Sequence, residues 1–152
     1  MRGTARHDPL ATHRGAFRPA VTIGLALLGV PRVVLHDLDI IDEASAINPL
    51  LVFAPPVVWI AATLACRLAN PLRALVWVGA TYGVLLAATH QLLWNRAYDE
   101  PPRLGGNLEG KLSATTEELV LRSFAVASGL ATGLAVGAIC GVVALAVRKL
   151  AH

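Results

Sequence analysis

Charge is scarce in this 152-residue chain: Asp, Glu, Lys and Arg make up 15% of it, against about a quarter of an ordinary soluble domain. Aromatic residues supply 5%, and there are two cysteines, Cys66 and Cys140. With two cysteines the chain has neither a disulfide framework nor a cysteine-built zinc site, and both thiols are expected to be free. No C-x-x-C, H-E-x-x-H, nucleophile-elbow or EF-hand pattern occurs, so none of the enzyme classes that those motifs announce is indicated. The glycines at 105, 106 and 110 follow no strand and complete neither the Walker nor the dinucleotide pattern. A net charge of +3 could suggest nucleic acid, but the basic residues flank apolar runs and do not form a stripe interleaved with aromatics, so no nucleic-acid partner is expected.

Apolar sequence is plentiful instead. It amounts to 55% of the chain, with a mean hydropathy of +0.60. A bilayer core of about 30 Å takes about 20 helical residues, and no alternating ten-residue segments suggest a barrel. Four helical spans fit, at about 19–36, 50–67, 74–94 and 119–147. The expected fold is all-α: an integral membrane four-helix bundle over residues 19–147, with a disordered basic tail at 1–18, a long loop at 95–118 and a short basic end at 148–152.

The first apolar run follows Arg2, Arg6, Arg14 and Arg18 and has no small-residue cleavage site after it, so it reads as an uncleaved span. Pro31 lies within it and should kink the helix. Beyond that kink, Arg32, His36, Asp39 and Glu43 recur at helical spacing and are predicted to share one face. Asn48 and Pro49 are suited to open the second span. Pro55 and Pro56 remove two helical N–H donors, so that span either bends sharply near its start, the favoured reading, or begins later, at Pro55. Arg67 to Arg73, with Asn-Pro in the middle, reads as a tight turn. Trp77 and Trp94 near the ends of the third span suit the two membrane interfaces.

Orientation follows from the basic residues. Eight Lys and Arg fall in the tail, the 67–73 turn and the C-terminal end, against three (Arg96, Arg103 and Lys111) in the other two connections. The positive-inside rule therefore predicts both termini in the cytoplasm. Nine of the ten acids lie on the opposite side, giving an acidic outer face. Eleven of the thirteen basic residues are Arg amid abundant Ala, Leu and Val, a composition suggesting a GC-rich bacterium and hence a bacterial inner membrane.

Three groups of residues carry the functional expectations. Gly129, Gly133, Gly137 and Gly141, extended by Ala125, recur every fourth residue in a 25-residue uncharged stretch between Arg122 and Arg148. Such a small-residue ridge lets helices approach closely, as a seam within one chain or as a contact to a second copy or another membrane protein. Arg32 and Arg122 are charges within span ends. Glu118 stands four residues before Arg122 in the order that favours pairing, whereas Arg32 has no acid three or four residues before or after it and must reach water, headgroups or another helix. His36, Asp39 and His90, with Asp37 and Glu118, form a polar cluster at the outer surface, either a hydrogen-bonded cap or a site for a divalent metal.

Together these features predict a non-enzymatic membrane component that meets a partner or small solute at its acidic outer face and needs no cofactor. The alternatives are a small transporter or channel, built around the proline-opened helices, and a metal-dependent membrane enzyme using His36, Asp39 and His90.

Overall fold

Each apolar run becomes helix in the computed structural model, which describes residues 15–42, 44–98 and 102–151. The basic tail before Gly15, Glu43 of the expected polar face, and Asp99 and Glu100 of the loop lie outside the described residues. Five α-helices follow in order: α1 (Pro19–Leu27), α2 (Val30–Asp37), α3 (Ile47–Ala65), α4 (Pro71–Ala97) and α5 (Ala114–Leu150). Among the described residues no strand occurs. Helices α1 and α2 form one stretch, Pro19–Asp37, and this stretch, α3, α4 and α5 are each long and apolar enough to cross a membrane. At 37 residues α5 is roughly 55 Å long, well beyond a bilayer core of about 30 Å.

The rods run up and down, which gathers the chain's charge at two ends. Arg18, the turn between α3 and α4, and Arg148-Lys149 form a basic end. Asp37, Asp39, Asp42 and the start of α5 form an acidic one. Short-range chemistry fixes the connections. The Asn70 side chain accepts from the Arg73 amide to open α4, and the Ser113 side chain accepts from the Thr116 amide to open α5. Arg148 donates to the carbonyls of Leu68 and Ala69, tying the end of α5 to the turn after α3. At the acidic end the Leu104 amide donates to the Glu117 carboxylate and holds the loop on α5.

The kink expected at Pro31 is a break one turn earlier. Pro31 sits in the first turn of α2, where its missing N–H costs little, and the chain changes course at Leu28 and Gly29. The amides of Leu28 and Gly29 donate to Leu25 and Ala26, and the Leu25 carbonyl also accepts from Trp59 Nε1 at 2.7 Å. Gly29 is needed here, because a Cβ would strike the Tyr82 ring, which meets Trp59 edge to face at 5.8 Å. Pro55 and Pro56 do not interrupt α3, which begins at Ile47. Asn48 lies inside that helix and does not cap it; its side-chain oxygen accepts from Arg32 Nε at 3.2 Å.

The most extensive packing in the molecule is between α4 and α5, which lie antiparallel. Gly129 meets Ala87, Gly133 meets Gly79 and Gly83, Gly137 meets Gly79 and Leu75, and Gly141 meets Leu72, so each four-residue step along α5 answers a step of three or four residues back along α4. A Cβ on Gly79 or Gly133 would run into opposing backbone. The glycine ridge thus faces α4 of its own chain, and Gly79, Gly83 and Ala87 form the matching stripe. Within the helices, the hydroxyls of Thr63, Thr81, Thr89 and Ser123 donate to their own backbone carbonyls four residues earlier, satisfying polar groups in apolar surroundings.

Candidate functional site

At the acidic end, the last turn of α2 meets the final third of α4. The predicted shared face for Arg32, His36 and Asp39 does not form, because α2 ends at Asp37. The amides of Asp39 and Ile40 donate back to His36 and Leu35, and Asp39 adopts a left-handed φ of 55°. That is a Schellman ending with Asp in the place glycine usually takes. It turns Asp39 out to the surface and leaves Asp37 facing inward, with its side chain 5% exposed.

Asp37 is the acid that meets histidine. His90 Nδ1 lies 2.6 Å from Asp37 Oδ2, and with the carboxylate ionised the ring N–H donates. His36 Nδ1 stands 3.8 Å from the other carboxylate oxygen. Asp39 borders a 320 Å³ surface cavity with His36, Asp37, Arg96, Ala97 and Tyr98. Glu118 is elsewhere, paired with Arg122 at 2.8 Å. Arg122 also lies 4.9 Å above the centre of the Trp94 ring, donates to Gln91 Oε1, and accepts from Gln91 Nε2 through its carbonyl. Trp94, placed by sequence at an interface, is buried beneath that arginine and against Tyr98, whereas Trp77 is exposed. Among the described residues no three His, Cys, Asp or Glu side chains converge as a metal-ligand set. Cys66 and Cys140 are both free thiols.

Between α2, α4 and α5 lies a 350 Å³ cavity whose wall includes Arg32, Tyr82, His90, Trp94, Ser128 and Thr132. A second cavity, of 450 Å³, continues from Arg32, Tyr82 and Thr132 between α3 and α5 and is otherwise mainly apolar. Arg32 spends one N–H on Asn48; among the described residues its guanidinium makes no other hydrogen bond and has no carboxylate within ion-pair distance. Among the described residues the hydroxyls of Tyr82, Ser128 and Thr132 also make no hydrogen bond, unlike the back-bonded hydroxyls elsewhere in these helices.

No family model matches the chain, and no curated protein or solved structure matches it. What this end of the molecule does is therefore argued from its own donors and space. It offers a buried Asp37 carboxylate paired with a half-exposed His90, a cation that has no counter-ion among the described residues, and three hydroxyls lining one cavity.

Proposed function

We propose that the chain is a non-enzymatic, multi-pass component of a bacterial cell membrane, with both termini inside, that binds a small polar solute at its acidic outer end. The observation that carries this reading is the 350 Å³ cavity, where unused donors on Arg32 and free hydroxyls on Ser128 and Thr132 converge beside the Asp37–His90 pair. Polar groups in an apolar layer are costly when unpaired, and a ligand with acceptor oxygens would pair them. The charge bias of the sequence supports the orientation, since eight Lys and Arg fall in segments expected on one side and nine acids in segments expected on the other.

The test is access from outside. In a protein with Cys66 and Cys140 replaced by Ala, Ser128→Cys should react in intact cells with an impermeant, anionic methanethiosulfonate. Leu134→Cys, exposed on the same helix but away from the cavity, should not react. Arg32→Gln should slow the anionic reagent more than a neutral one. A Ser128→Cys that is unreactive in cells and also in vesicles of phosphatidylcholine alone would contradict the reading.

A transporter reading has one observation in its favour: the break at Leu28 and Gly29 lies beside the cavities, as discontinuous helices do around transported solutes. Flux into sealed proteoliposomes separates transport from binding alone.

A further inference from the structure

The two cavities share Arg32, Tyr82 and Thr132 in their walls, and their chemistry changes in a definite order along α5. Ser128 and Thr132 mark the polar part near the acidic end. One to three turns further on, Val136, Ile139 and Val143 face Val52, Phe53 and Ile60 of α3 across the 450 Å³ groove. Phe53 and Ile139 are 66% and 63% exposed, so in a bilayer this groove opens sideways to lipid. The sequence of polar pocket, cation and apolar groove, read from the membrane surface inward, is the anatomy of an amphiphile.

We propose that this continuous cleft binds an anionic phospholipid, with its phosphodiester on Arg32, its headgroup hydroxyls against Ser128 and Thr132, and one acyl chain between α3 and α5. The inference rests on the outer cavity being a binding site and names the ligand class. Charge complementarity selects the occupant. A guanidinium inside an apolar layer without a carboxylate partner is satisfied by a phosphate, which accepts two parallel N–H bonds. A zwitterionic lipid would bring a second cation to the same place. The groove is too apolar over its length to suit a wholly polar solute; its floor is formed by Trp59 and Cys140 of the core, while Phe53 and Ile139 on its rim stay exposed.

Trp59 lines the groove and serves as reporter. With Trp77→Phe and Trp94→Phe in place, the protein is reconstituted in phosphatidylcholine vesicles containing either brominated phosphatidylglycerol or, at the same mole fraction, brominated phosphatidylcholine. Quenching of Trp59 should be roughly two- to fivefold stronger with the brominated phosphatidylglycerol, the preference that one modest ionic contact sustains. Arg32→Gln should remove the preference and Arg32→Lys, which keeps the charge but loses the two parallel N–H bonds, should keep part of it. Val136→Phe, which fills the groove without touching the charge, should also remove it, so the test survives if Arg32→Gln fails to fold. Equal quenching by the two lipids in the protein that retains Arg32 overturns the inference. A second arm separates it from the solute reading: phosphatidylglycerol should protect Ser128→Cys from the thiol reagent, while glycerol 3-phosphate should not. Protection by glycerol 3-phosphate together with equal quenching would uphold the solute cavity and overturn the lipid.

Discussion

His90 Nδ1 lies 2.6 Å from the Asp37 carboxylate, joining α4 to the end of α2 across 53 positions of sequence. Burial explains why this contact matters. The Asp37 side chain is 5% exposed, and a carboxylate there needs its donor.

His90→Ala should therefore destabilise the protein by about 1–3 kcal/mol, the penalty for stranding a buried polar group. Asp37→Ala in addition should recover part of that loss, because the stranded carboxylate is gone. Thermal unfolding of the two single variants and the double variant in one detergent measures the coupling. Strictly additive losses would mean that the pair contributes nothing.

The α4–α5 seam separates glycines that need to be glycine from one that does not. Gly79→Ala and Gly133→Ala place a methyl against opposing backbone and should unfold or loosen the protein, at a cost of several kcal/mol. Gly24→Ala meets nothing within 4 Å in the middle of α1 and should be neutral or stabilise by up to about 1 kcal/mol. The same unfolding measurement ranks the three. Equal tolerance at Gly79 and Gly24 would contradict the close approach of the two helices.

Two helices end on left-handed residues that are not glycine: Asp39 after α2, and Arg67, with φ 48°, after α3. Arg67→Gly should relieve about 1 kcal/mol of backbone strain and raise the melting temperature. Asp39→Gly should behave similarly and leave the Asp37–His90 contact in place. A fall in stability at Arg67→Gly would show that its side chain matters more than its backbone.

Much of the helical layout was legible, because length and hydropathy are properties of single runs. The spans expected at 50–67, 74–94 and 119–147 correspond to α3, α4 and α5, with the starts displaced by three to five residues; polar capping residues such as Asn70 and Ser113 start helices before the apolar run begins. Periodicity also isolated the glycines of α5. The matching stripe of Gly79, Gly83 and Ala87 carries the same four-residue period, but two glycines and an alanine stand out less among neighbouring apolar residues.

The polar cluster was harder to read for a specific reason. Helical spacing assigned Asp39 to the face of Arg32 and His36, and that holds only while the helix continues. No Gly announces the Schellman ending at Asp39, so the inward role of Asp37 could not be seen from spacing. Likewise, the Asn48 partner of Arg32 is a contact between helices 16 residues apart, which no local pattern encodes. The pairing of Glu118 with Arg122 is local, and it was read from the four-residue spacing.

The account turns on four crossings with the acidic end outward. In the protein lacking Cys66 and Cys140, single cysteines at Ala44, Gly105 and Ala69 test it, since all three positions are exposed in connections between helices. Ala44→Cys and Gly105→Cys should react with an impermeant thiol reagent in intact cells, and Ala69→Cys should react only after the membrane is permeabilised. The reverse pattern would invert the orientation and place the cavity inside, and reaction of all three in intact cells would contradict a four-span chain.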